Sequence, residues 1–138
     1  MRIPLLIILP LFILLQVGMQ SATAQTLQKT DTISAFAAAE LVGQEVIIKG
    51  PVITVFFAKS STGSPTFLNL EKPFPNNPVA IIIFENKREE LGINAQDYKG
   101  KTVVVKGLVR RYKDEEKPYE YKPSITIYSK DQLTIVNE

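Results

Sequence analysis

The sequence predicts an all-β fold: a small closed barrel of five strands with two short helical segments. Three observations predict it. From Gly43 to Phe84 the chain passes through three apolar, β-branched stretches separated by two short blocks rich in Ser, Gly, Pro and Asn. Two further stretches of this kind follow, at Thr102–Tyr112 and Pro123–Ser129. There is no cysteine, so no disulfide can hold the fold, and a barrel of about a hundred residues can build a sufficient core alone.

The first residues, MRIPLLIILPLFILLQVGMQSATAQ, read as an export leader. Arg2 is a positive n-region, Ile3 to Leu15 an apolar stretch, and Ala22-Thr23-Ala24 a small-x-small cleavage site. The apolar run is shorter than the roughly 20 residues that span a bilayer, and Pro4 and Pro10 break it. The expectation is a signal peptide over 1–24, a polar lead-in over 25–32 and one domain over 33–138. An uncleaved anchor is the alternative. No cysteine follows the cleavage point to carry a lipid, so the expected product is exported, periplasmic or secreted, with no membrane span once cleaved.

Lys and Arg number 16 against 14 Asp and Glu, and Arg2 departs with the leader. Such balance gives little long-range attraction to nucleic acid or anionic membrane, so any polyanion site must come from local clustering. The absence of both Cys and His disfavours zinc and iron–sulfur sites, and excludes Ser–His and Cys–His catalysis. No cofactor is expected.

Asp31 or Thr32 offers an N-cap for a short helix over Ile33–Val42, ended by Gly43. Ile33, Phe36, Ala37 and Leu41 share one face of it, suited to plugging one end of the barrel. Glu45–Ala58 is the first strand, with Val46, Ile48, Val52 and Val55 inward and Gly50-Pro51 marking a bend. A long bent strand suits a barrel, because it must pair at both ends. Lys59–Pro65 is the first loop, Thr66–Leu70 the second strand, Lys72–Pro78 a proline-stiffened loop and Val79–Phe84 the third strand, apolar on both faces.

Glu85–Gly92 reads as a helical segment, followed by Ile93, Ala95 and Tyr98 as anchors. The fourth strand, Thr102–Tyr112, turns inward Val103, Val105 and Val109; the loop Lys113–Lys122 is long and charged. The fifth strand turns inward Ile125 and Ile127, and Leu133–Val136 closes the chain. A five-stranded Greek-key barrel with a helix between strands three and four is the OB-fold.

The pattern G-x-x-V-x-I-x-G-x-V from Gly43, the phrases GSPTFLNL, AIIIF and YKGKTVVVKG, then Tyr112 and ITIY, resemble small exported bacterial OB-fold proteins. These are described as nucleic-acid-binding or left uncharacterised, and are similar to OB modules of anticodon-binding type. The resemblance covers Ile33 to Ile135 and implies a fold more than an activity.

Acidic residues gather in loop runs, Glu89-Glu90 and Asp114-Glu115-Glu116, which read as solvated surface; Glu71, ending the second strand, is the acid best placed for a role. The expectation is therefore a non-enzymatic binding module. OB-folds bind across strands two and three, flanked by the first loop and the loop between strands four and five. On this chain that face offers Phe67, Tyr119 and Tyr121 for stacking bases, and Lys59, Lys72, Arg110 and Lys122 for phosphate. Arg111 and Lys113 are further cations there, and Asn69 shares the parity of Phe67 and suits a base edge or sugar hydroxyl.

Each has a plainer reading. Phe67 suits inter-strand packing, Asn69 suits a backbone group at a bulge, and only one of Arg110 and Arg111 can face a ligand. Asp114, Glu115, Glu116 and Glu120 oppose a phosphate track beside Tyr119 and Tyr121. Single-stranded nucleic acid is the expected partner, and an envelope protein or oligosaccharide the alternative.

Overall fold

The protein is seen in a computed structural model that describes residues 31–113 and 121–137. The expected leader, most of the lead-in and Tyr119 lie outside the described residues. The strands are β1 (Thr32–Ser34), β2 (Glu45–Phe57), β3 (Thr66–Leu70), β4 (Ala80–Ile83), β5 (Thr102–Leu108), β6 (Arg110–Lys113), β7 (Tyr121–Thr126) and β8 (Leu133–Ile135). One α-helix, α1 (Glu85–Leu91), follows β4. No described helix is long and apolar enough to cross a membrane.

β2 organises the molecule. Its first half, Glu45–Pro51, pairs antiparallel with β5, and its second half, Val52–Phe57, pairs antiparallel with β3. The strand runs unbroken through Gly50-Pro51, and the register shift falls just after, between Val52 and Thr54. Pro51 sits where the pairing changes hands: its carbonyl accepts from Glu71 N, and a missing N–H costs least there. Ile48, Val52, Leu68, Ile81, Val103, Val105, Ile125 and Ile127 fill the core, as alternation predicts.

The sheet differs from the expected closed five-stranded barrel. Eight strands form one sheet, in the order β6-β7-β4-β3-β2-β5-β8 with β1 beside β2, and it does not close. The predicted fourth strand is split at Val109, whose N–H and C=O are taken by Gln44 and Gly43. Its halves therefore lie at different places in the sheet, β5 on β2 and β6 on β7. β8 occupies the second edge of β5, so no edge of β5 remains for β7. The covalent chain at Leu108–Val109–Arg110 joins what hydrogen bonds do not.

The expected α-helix over Ile33–Val42 is also corrected. Thr32–Ser34 pairs in parallel with Ile47–Lys49, and only Ala35–Glu40 is helical, as a 3-10 helix. Ser34 caps it by accepting from Phe36 N. A three-residue turn aligns i with i+3, so Ala35 and Ala38 enter the core, while Phe36, placed inward by a 3.6-residue period, is 56% exposed. The second helical segment stands as expected. α1 ends at Gly92, whose left-handed backbone (φ 63°) returns its N–H to Arg88 and Glu89, and Ile93 and Ala95 then enter the core.

Candidate functional site

Register decides which side chains share the outer face of the sheet. Leu68, Ile81 and Ile125 pair across β3, β4 and β7 and point inward. Their neighbours point out, in two adjoining rows. One row is Phe56, Phe67, Ile82 and Thr126; the other is Thr54, Asn69, Ala80, Ser124 and Arg110. Of these Asn69, Ala80, Ile82 and Ser124 are buried, so exposure is confined to the ends of the rows.

In the first row, Phe56 and Phe67 stack with ring centroids 6.4 Å apart and planes at 28°. Phe56 is 60% exposed and Phe67 half-buried, so the open part of this aromatic pair is the Phe56 ring. In the second row, Asn69 is 3% exposed and donates its amide to Thr54 Oγ1 at 3.0 Å. A ligand contact by Asn69 would require that bond to open. Arg110, exposed, ends the row three strand spacings away, about 14 Å across the sheet.

The remaining expected residues are dispersed. Lys122 lies two residues before Ser124 on β7, and its ammonium donates to the Pro75 carbonyl at 2.8 Å, tying β7 to the proline-rich loop. Lys72 is exposed elsewhere, its ammonium 5.9 Å from the centre of the Phe36 ring. Lys59 is exposed in the β2–β3 loop, which is held to the start of α1 by Glu85 N donating to Gly63 O. Tyr121 begins β7 opposite Lys113. Of the eight residues singled out, Phe67, Asn69, Arg110 and Lys122 thus share the outer face, and Lys59 and Lys72 stand apart from it.

Two aromatics of this face were missed. Phe56 faces out because of the bulge after Val52; the switch from even inward positions (46, 48, 52) to odd (55) was its signal. Tyr128 lies two residues beyond Thr126 on the same parity and is 56% exposed. The pairing continues that far, since Ile127 N donates to Ile82 O. Tyr128 borders two clefts, one of about 560 Å³ beside Phe84 and Lys87, the other of about 410 Å³ beside Lys106, Arg110 and Asp131. Among the described residues no group of three acidic side chains converges as a metal site would need.

No family model matches the chain, and no curated protein matches it in sequence. Among solved structures, the aspartyl-tRNA synthetase of Entamoeba histolytica is similar at a TM-score of 0.53 and 15% identity, over 77% of this chain and 21% of the synthetase. A Leishmania major Friedlin protein described as an aspartyl-tRNA synthetase is similar at a TM-score of 0.51 and 15% identity, over 85% of this chain and 23% of that one. This chain therefore spans about a fifth of each synthetase. At such identity the likeness is one of fold.

Proposed function

We propose that this chain is an exported, non-enzymatic OB module of anticodon-binding type that binds single-stranded nucleic acid across the outer face of β3 and β4. The observation that carries the reading is the stacked, outward Phe56–Phe67 pair on a rigid sheet, with Arg110 on the same face. Bases of any sequence can stack on such a shelf, while a cation holds the backbone. The likeness to part of two enzymes named for tRNA supports the choice of ligand class, as does the resemblance of the sequence to OB modules that bind nucleic acid.

A second reading has an observation of its own. Lys122 is engaged by Pro75 and Lys72 sits by Phe36, leaving few cations beside the aromatic shelf. That sparse charge suits a neutral partner, an envelope oligosaccharide or protein segment. Salt separates the two. Anisotropy of a labelled oligothymidylate with the chain lacking residues 1–24 is expected to show saturable binding that weakens steeply with salt. Arg110→Ala should lower the slope of log K against log salt by about 0.7, the value for one phosphate contact on a single strand. Absence of binding at low salt would end the nucleic-acid reading and turn attention to glycans.

A further inference from the structure

Among the described residues, Tyr128 alone lines both clefts that flank the end of β7. The main chain that carries this exposed aromatic is firmly held. The Gln132 side chain accepts from Tyr128 N at 2.7 Å and from Ser129 N at 3.0 Å, and donates to Lys106 O at 3.0 Å and Thr126 O at 3.3 Å. All the hydrogen-bonding capacity of that amide is used, and it binds the backbone beneath Tyr128 to β5 and β7. Gly107 leaves room for it: a Cβ there would lie 3.1 Å from Gln132 Nε2 and 2.7 Å from Ile125 Cγ2. The ring thus stands on a main chain that is already ordered, so that part of the ordering cost does not fall on ligand binding.

The smaller cleft carries two acids, Glu45 and Asp131, and two cations, Lys106 and Arg110, and the acids have partners of their own. Asp131 accepts the Ser129 hydroxyl, and Glu45, also on the smaller cleft, is not a free carboxylate. Among the described residues no carboxylate pairs with Lys106 or Arg110 on that cleft. From Phe67 to Tyr128 the path crosses two strand spacings and runs two residues along β7, about 12 Å. The Phe56–Phe67 pair and Tyr128 are therefore two separate aromatic stations, with the buried Ile82 between them and Arg110 on the cleft of the second.

Resting on the nucleic-acid reading above, we propose that Tyr128 is a second base-stacking post, the wall on which a nucleobase seats with its phosphate toward Arg110 and Lys106. The test compares an oligothymidylate with an abasic deoxyribose-phosphate oligomer of equal length, each against the wild type, Tyr128→Ala and Tyr128→Phe. Tyr128→Ala should lose about tenfold to a hundredfold in affinity for the thymidylate and nothing for the abasic oligomer. Tyr128→Phe should bind like the wild type, and the salt slope should be the same in all three, because no phosphate contact has changed. An equal loss on both oligomers, or no loss on either, overturns the stacking post while leaving the nucleic-acid reading in place. A wild type that binds neither oligomer at low salt overturns both.

Discussion

Glu71 holds a left-handed backbone conformation (φ 67°) that a side chain with a Cβ resists. It is kept there because its N–H donates to Pro51 O where β2 passes from one partner strand to the other. Its carboxylate lies against Gly50, where a Cβ would come within 2.9 Å of Oε1. The acid that sequence marks as best placed for a role thus has a conformational one at the strand end. The usual order of Ala and Gly should invert here: Glu71→Gly is expected to be about 1 kcal/mol more stable than Glu71→Ala. Urea titration of the two variants decides it, and equal midpoints would mean that the turn relaxes without cost. Asn69 offers a matching case inside the sheet. Thr54→Val takes away the acceptor of its buried amide and should cost about 1–3 kcal/mol. The loss should be smaller when Asn69 is also made apolar, which a double-mutant cycle would read out.

Among the elements, α1 is short and has no side-chain hydrogen bond at its N-cap, Phe84. Its ion pairs, Lys87 with Glu90 at 2.7 Å and Arg88 with Glu85 at 3.8 Å, are surface contacts of small net effect. What locates it is its two ends and one aromatic contact. Phe84 lies over Gly63, where a Cβ would stand 2.8 Å from the ring. The Arg88 guanidinium sits 4.5 Å from the centre of the Phe57 ring. Gly92 ends the helix in a left-handed conformation with open space around its Cα. Gly92→Ala should therefore cost about 1 kcal/mol through the backbone alone, with no packing term. A cost several times larger would show a steric conflict that this arrangement does not contain.

For the whole molecule, Tyr98 links packing to pH. It is half-buried against the core after α1, and burial raises its phenol above the ordinary tyrosine value, with the neighbouring Asp97 carboxylate adding to the shift. The folded chain thus holds a proton that the unfolded chain releases near pH 10. This contribution is complete below the unfolded value and declines as pH rises through the folded one. The stability of the wild type relative to Tyr98→Phe should be constant from neutral pH to about 9 and fall at higher pH. A flat difference through pH 11 would show that the phenol titrates alike in both states.

Local sequence was enough to place most strands, the alternation of the core and the end of α1. Those features rest on neighbours a few residues apart: Val103 and Val105 against Lys106, or Gly92 after a charged helical segment. Its reach ended where pairing between distant segments decides. The split of the fourth strand at Val109 depends on the start of β2 capturing both backbone groups of that residue. Phe36 is exposed because Thr32–Ser34 joined β2, leaving only six residues for a tighter helix. Among the candidate site residues, the parity that Phe67 shares with Asn69 in the sequence holds in the sheet, where Arg110 falls on the same side. Tertiary structure withdrew Asn69 into a bond with Thr54, tied Lys122 to Pro75, and turned Phe56 outward through a one-residue shift of register. It also set Tyr128 beside Gln132, whose side chain bonds the backbone of Lys106 in β5, Thr126 in β7, Tyr128 and Ser129. Register has a period of two, so one inserted residue reverses every side chain beyond it, and only the partner strand says where that residue goes.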